Sequence, residues 1–500
     1  MTLPCKLAFS AFILSIALVA CPAGAPPDIT PPTVTGHTPA AGAMGVYVRD
    51  PISVTFSKAI KASSISGDSV ILAGAASTPV ARTASLSADG RTLTVTPLSA
   101  PSVPNTLTLA LTAAVTDLSG NPLTPASWSW TLPDWLPVGG ALNAVSGVNA
   151  ASPFIALDAT GKPVVSLAEN NGTGFNVYTW RWTGSAWQAV GGALNPVGGG
   201  KDAFVNGLVV DASDHPITSI IEYDGAHFNL YVQRWDGNAW RAVGGPVNPV
   251  SGQSISLTAG LALRPDGNPV TAIEEFDGMK NKVYVSAWTG SAWETLGGPL
   301  NLAAGSHSFS LGIAVNAAGS IAFASEENDG AHNNLYVQGW DGAAWQPVGG
   351  AINAVSGHDA NGPFVALDPA GDPVVAFTES NDGAQVSAYA ARWTGSAWAY
   401  LGTGVPSSGT STGASASGIA VDAGGNVVVA AFAHTSASNF VVVQRWNGSG
   451  WQPVGSNVTG PGGADANPNG LVLDASGAPV IVYLAKQNGA QNAYVTRYNQ

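Results

Sequence analysis

The chain has 500 residues, 45% of them hydrophobic and only 10% charged, and its acids outnumber its bases 31 to 18. Phosphate recognition needs clustered Lys and Arg, so this balance excludes nucleic acid as an expected partner. The only cysteines are Cys5 and Cys21, and the 61 glycines and 34 prolines suit a chain full of tight turns held together by burial.

From the N-terminus, Lys6 precedes an uncharged apolar run over residues 7–20, with the length and flanks of a secretory signal rather than a membrane span. No second run approaches the ~20 residues needed to cross a bilayer. The run ends in Leu18-Val19-Ala20-Cys21, which resembles the lipobox of bacterial lipoproteins. That resemblance implies removal of residues 1–20, a lipid on Cys21 and attachment to the bacterial cell envelope, at the outer membrane or cell surface. Ordinary cleavage near Ala-Cys or at Ala23-Gly24-Ala25, with Cys21 left as an unpaired thiol, is the other reading of the same residues. Either way Cys5 is lost and no intrachain disulfide is expected. Residues 21–32, rich in Pro and Ala, read as an extended, lipidated tether.

Residues 33–132 carry short alternating apolar segments at 52–56, 69–72, 92–95 and 106–109, a pattern that predicts a β-sandwich. The runs His37-Thr38-Pro39-Ala40-Ala41-Gly42, Val54-Thr55-Phe56-Ser57 and Asp117-Leu118-Ser119-Gly120-Asn121-Pro122-Leu123 resemble the bacterial Ig-like domain of surface-layer proteins. The resemblance implies a spacer or adhesive module. Asp117 and Asn121 suit either a cation or a turn whose side chains bond their own backbone.

From Trp135 a different order begins. The stretch Trp135-Leu136-Pro137-Val138-Gly139-Gly140 returns in near copy at Trp187, Trp240, Trp293, Trp345, Trp398 and Trp451, with spacings of 52 or 53 residues. A period that steady marks a repeat architecture. Within the second unit, segments 207–211, 216–222, 229–235 and 239–243 predict four strands, A to D. An Asp-x-x-Gly turn joins A to B, and a Gly-led type II′ hairpin joins C to D. That hairpin sets Trp235 opposite Trp240, and the same five-residue spacing recurs down the chain.

The segment 135–500 opens with a lone D strand and ends with A, B and C strands that lack one, so the ends complete each other. The expectation is an all-β protein: an Ig-like sandwich followed by a seven-bladed β-propeller of ~53-residue repeats, closed three-plus-one by its N-terminal strand. Closure also removes exposed sheet edges. The period and aromatic-Gly pattern resemble kelch and galactose-oxidase-like propellers, with the Gly pair displaced to the end of strand D.

Two periodic sets stand out as candidate sites. Glu169, Glu222, Glu275, Glu327 and Glu379 end strand B, and Asn143, Asn195, Asn248, Asn301 and Asn353 open the loops that introduce the same five blades. Blades six and seven lack both and carry His434 and Lys486 nearby, so Glu and Asn are expected to touch. One reading ties loop to blade by hydrogen bonds. The other is an acidic ring, extended by Asp224, Asp277, Asp329 and Asp382, that binds calcium or a cationic or hydroxyl-rich ligand. The paired tryptophans read as packing or as sugar platforms. Arg181, Arg234, Arg392, Arg445 and Arg497 read as solvated arginines or as partners in inter-blade salt bridges.

Enzyme signatures are weak. The seven histidines lack metal-ligand spacing, residues 135–500 contain no cysteine for a copper-radical centre, and Trp235-Asp236-Gly237-Asn238-Ala239-Trp240 departs from a sialidase Asp box. The expected role is a lipid-anchored envelope binding or adhesion protein with a monomeric propeller facing glycan or protein ligands. The alternatives are a carbohydrate-active enzyme, glycoside hydrolase or lyase, and a structural envelope protein.

Overall fold

The computed structural model describes residues 27–250, 252–303, 308–381, 385–407 and 411–500; the signal segment, Cys21 and the start of the tether lie outside them. Among the described residues there are strands and three short 3-10 turns but no α-helix, and no helix long and apolar enough to cross a membrane. Two compact units are present, a smaller one drawn from residues up to 130 and a larger one that holds all of 131–500.

The smaller unit is a two-sheet sandwich. One sheet runs β1-β2-β5-β4, with β1 Val34–Thr38, β2 Ile52–Phe56, β4 Arg82–Leu86 and β5 Thr92–Pro97; the other runs β3-β6-β7, with β3 Val70–Ala73, β6 Asn105–Leu111 and β7 Ala126–Leu132. Val54, Phe56, Leu93, Val95, Leu107 and Leu109 alternate into the core between the sheets. The sequence pattern located β2, β3, β5 and β6 and passed over the other three. β1 and β4 are sheet edges with no buried residue, so nothing forces an apolar alternation on them. The Asp117 loop is a turn: Asp117 Oδ1 accepts the amides of Ser119 and Asn121, both at 2.9 Å, and Oδ2 accepts Asn121 Nδ2 at 2.9 Å.

The larger unit is a β-propeller of seven four-stranded antiparallel blades. Blade 2 shows the parts: Ala203–Val210 (A), Pro216–Tyr223 (B), Phe228–Trp235 (C) and Trp240–Ala242 (D). Strand A begins earlier than its apolar run because a β-bulge between Val205 and Gly207 lets pairing continue past the break in alternation. Blade 7 is assembled from Ala466–Leu473, Pro479–Gln487, Ala490–Tyr498 and the N-terminal strand β8, Trp135–Pro137, with Tyr498 opposite Trp135 as the strand count requires.

The C-to-D turn differs in detail from a two-residue hairpin closed by backbone alone. Thr183 N–H donates to Ala186 O at 2.9 Å, but the return bond runs from Ala186 N–H to the Thr183 hydroxyl at 3.1 Å. Asp236 does the same with its carboxylate, accepting Ala239 N–H at 2.7 Å. The residue before the turn glycine therefore supplies a side-chain acceptor, which explains the Thr, Asp or Asn there.

The tryptophan pairs bind blade to blade. Trp235 and Trp240 meet edge to face with ring centroids 5.7 Å apart, and Trp240 Nε1–H donates to Val190 O, the end of the preceding blade, at 2.8 Å. Blades 1 to 6 repeat this bond, through to Trp451 on Leu401 O at 2.7 Å, and in blade 7 the acceptor shifts two residues along, with Trp135 on Ser456 O at 2.9 Å. The first glycine of the displaced pair follows from it: Gly191 has φ +72°, and a Cβ there would lie 2.8 Å from both indoles of the next blade. On the inner ring, Gly207 and Gly260 serve close approach, since a Cβ would fall 2.6 Å from Leu261 and 2.7 Å from Ile313 respectively. The arginines are inter-blade too, but they grip backbone: Arg181 Nη2 donates to Asp214 O in the next A-to-B turn, and Arg497 to Gly161 O across the closure. Closure is completed by a core that packs Val480, Val482 and Val495 of blade 7 against Ile155, Val165 and Leu167 of blade 1.

Two substitutions test this joint. Trp240→Phe keeps the ring packing but leaves Val190 O unpaired and is expected to cost about 1 kcal/mol. Gly191→Ala drives a methyl into the indole pair in a left-handed backbone and is expected to cost roughly 1–3 kcal/mol. Chemical denaturation followed by tryptophan fluorescence should rank wild type above Trp240→Phe above Gly191→Ala.

Candidate functional site

The D-to-A and B-to-C loops share one propeller face, and the five glutamates stand directly beneath it. All five are 0% exposed. Each turns its carboxylate onto amides that follow its partner asparagine. Glu169 accepts Ala144 N–H at 2.9 Å and Val145 N–H at 2.7 Å; Glu222 accepts Val197 N–H at 3.0 Å; Glu275 accepts Val250 N–H at 2.7 Å. Glu327 takes Leu302 and Ala303, at 3.1 and 2.7 Å, and Glu379 takes Ala354 and Val355, at 2.7 and 2.9 Å. The geometry is that of a loop tie: a buried acceptor takes two successive loop amides in blades 1, 4 and 5 and one in blades 2 and 3, where Pro196 and Pro249 remove the other.

The asparagines close the same loops from within. Asn143, Asn195, Asn248 and Asn353 donate to the carbonyls of Val148, Lys201, Gln253 and His358, and Asn301 instead accepts Val283 N–H at 3.0 Å. Direct Glu–Asn contact occurs in blade 3, Asn248 Nδ2 to Glu275 Oε1 at 3.3 Å; elsewhere the two sets meet through the loop they both hold. Of the acidic extension, Asp224, Asp277 and Asp329 cap their own B-to-C turns, as when Asp224 Oδ1 takes the amides of Ala226 and His227 at 2.8 Å. Those amide bonds hold all three carboxyls below the usual range, while Asp382 lies outside the described residues.

The repeat contains further members that the sequence pattern did not single out. Tyr178, Tyr231, Tyr284 and Tyr336, on strand C of blades 1 to 4, are pushed above the ordinary phenol range by burial and by neighbouring carboxylates, including the Glu of their own blade. Just before strand A, Asn149, Asp202, Ser254, Asp359 and Asp465 accept an amide at the start of strand C of the preceding blade, at 2.8 Å for Asp202 on Phe175. Their 52- or 53-residue period was a usable signal. Blades 3 and 4 add Glu274 and Glu326, 2% and 6% exposed, one residue before the ring glutamates and on the other sheet face. Burial pushes Glu326 up; Gly362 N–H and Asn333 oppose that, and Asp359 and Glu274 add to it. Among the described residues no group of three or more His, Cys, Asp or Glu is gathered to hold a metal ion.

Blade 7 shows how the tie is dispensed with. Thr459 stands at the Asn position and Ala485 at the Glu position; the amide of Gly460 turns inward to Ala464 O at 2.7 Å, closing the short turn Pro461–Gly463. Gly460 lies so close to Ala485 that a Cβ would fall 2.6 Å away, so the loop occupies the space a carboxylate would need. On the opposite face, a cleft of about 440 Å³ is lined by Asn316, Asp368 and Asp422, whose side chains are spent on their own turns.

The ties carry a pH signature. Burial pushes Glu169, Glu222 and Glu379 above the usual carboxylate range and Glu275 up to about 7, with the loop amides pulling the other way. A folded-state value above the unfolded 4.5 means the folded chain holds the proton more tightly. Stability from Glu275 is thus fully present below pH 4.5 and lost as pH rises through 7, by on the order of 3 kcal/mol. Urea midpoints between these limits should fall with pH in the wild type and fall less in Glu275→Gln, which keeps an acceptor but cannot ionise.

Against known proteins, residues 28–132 match the model of the bacterial Ig-like domain family. No curated protein matches the chain. Among solved structures, it is similar to an ulvan lyase, a polysaccharide lyase, with 10% identity over 72% of this chain and 93% of that one, TM-score 0.49. It is similar to a Dyadobacter fermentans protein of unknown function, with 15% identity over 73% and 99%, TM-score 0.41. A third is the Aleuria aurantia lectin, with 15% identity over 62% and 98%, TM-score 0.36. With TM-scores below one half, these likenesses carry no argument about activity or ligand.

Proposed function

We propose that the chain is an exported, lipid-anchored binding or adhesion protein of the bacterial cell envelope, with the Ig-like domain as spacer and the propeller's loop face displayed to extracellular glycans. The observation that carries this reading is the loop ties. Five of the seven blades bury a carboxylate that fastens an exposed loop, and a face built from loops on a rigid scaffold is what recognition requires. The Glu and Asn sets act on ligand through the loops they position. Bacterial Ig-like domains occur in extracellular or surface proteins, which agrees with export. The anchor rests on Leu18-Val19-Ala20-Cys21. Replacing Cys21 by Ser should move the protein from the membrane fraction to the soluble exported fraction; unchanged fractionation would remove the anchor.

A glycan array probed with the purified full chain, with calcium and again with chelator, tests the face. Retention of glycans in both conditions is the expected result, because the ring carboxylates are already spent on amides. Binding lost on chelation would instead bring calcium into the site. Chemical change of the retained glycan, abolished by Glu326→Gln, would favour a carbohydrate-active enzyme, a reading supported by the raised Glu326 beside Glu274. Retention of no glycan would leave a protein ligand or a structural envelope role.

A further inference from the structure

The seventh blade departs from the repeat, and a cleft lies where it departs. A space of about 480 Å³ opens between the loop that introduces blade 7 and the loop after β8 that introduces blade 1, a size suited to a small-molecule site. Its floor is aromatic: Tyr483 and Tyr494 stack with centroids 5.7 Å apart, 7% and 6% exposed, and Trp135 stands beside them. Its rim is polar, with Asn457, Thr459 and Gln487 exposed and Tyr494 Oη–H donating to Gln487 Oε1 at 2.7 Å.

The lining decides what chemistry fits. It contains no Lys, Arg or His, so nothing there draws an anion. Its one carboxylate, Asp134, is 8% exposed and accepts the amides of Trp135 at 3.0 Å and Ser456 at 2.5 Å, so it is not offered to a cation. What remains is a largely buried aromatic floor, with Trp135 its more exposed member, and uncharged hydroxyl and amide groups around it, the complement of a neutral polyhydroxylated ring. In blades 1 to 5 the positions of Thr459 and Ala485 hold the Asn and Glu of a loop tie; in blade 7 the loop bonds to itself and leaves Thr459 on the cleft wall.

We propose that this cleft binds one neutral sugar residue of a glycan, ring over the Tyr483, Tyr494 and Trp135 floor and hydroxyls bonded to Asn457, Thr459 and Gln487. The proposal rests on the reading of the propeller as a glycan-binding platform and places that binding in a single blade. The test uses the full chain on an array of neutral and acidic oligosaccharides, followed by titration of the strongest neutral probe. Thr459→Trp fills the mouth from an exposed loop position and Gln487→Ala removes the rim amide; Glu294→Gln, exposed on strand D of blade 3, is the control.

Each of the first two variants should weaken neutral-glycan binding by about tenfold or more, while the control binds as wild type. Unchanged affinity in both cleft variants would overturn the cleft and leave the platform reading standing. Retention of acidic glycans alone would also overturn it. If the wild type retains no glycan, the cleft and the platform reading fall together.

Discussion

The propeller depends on one joint, the indole N–H that each strand D tryptophan gives to a backbone carbonyl of the preceding blade. Sheets stacked around an axis share no ladder and are joined only by their D-to-A loops, so their mutual placement rests on side-chain packing and on bonds of this kind. Trp240 on Val190 O supplies direction as well as attraction, because the indole must lie under the turn that carries the carbonyl. The first residue of that turn must then be glycine, since its left-handed backbone and the indoles of the next blade exclude a Cβ. The arginine grip on the next A-to-B turn repeats the logic on the opposite face at five interfaces, those that follow blades 1, 2, 5, 6 and 7, and pins them at two levels.

Rigid blades leave the loops as the variable part, and the chain spends buried charge to control them. Placing Glu275 at 0% exposure is costly unless the carboxylate is satisfied, and the satisfying groups are the Val250 amide of the loop overhead and the Asn248 side chain. The same bond that lowers the cost of burial fixes the loop. Where the loop can bond to itself, as at Gly460 and Ala464, the carboxylate is absent and the asparagine with it. Co-loss of the two sets follows from a shared loop and needs no contact between them.

Much of the architecture was legible because it is periodic and because strands can be counted. The Trp spacing gave the number of blades, and the lone first D strand gave the closure that Trp135 and Tyr498 realise. Edge strands such as β4 were not legible, since exposed residues face no core. The Glu and Asn sets were visible as sets, but a carboxylate at a strand end can turn to solvent or to its own loop, and one-dimensional spacing does not distinguish the two. Tyr178 and its equivalents were overlooked because a tyrosine in strand C reads as ordinary sheet packing. Glu274 and Glu326 were masked by their neighbours Glu275 and Glu327, being adjacent in sequence and opposite in direction.

The clasp has a consequence for the order in which the molecule is made. Leu136 O waits for the Thr496 hydroxyl, a separation of 360 residues, and β8 has no other partner strand. Every other blade is a local meander that can form as soon as its ~53 residues are available, whereas blade 7 draws on both ends of the segment. The first propeller strand synthesised is therefore the last to be paired. Until then it is an open edge beside apolar surface, and the three residues of β8 keep that edge short.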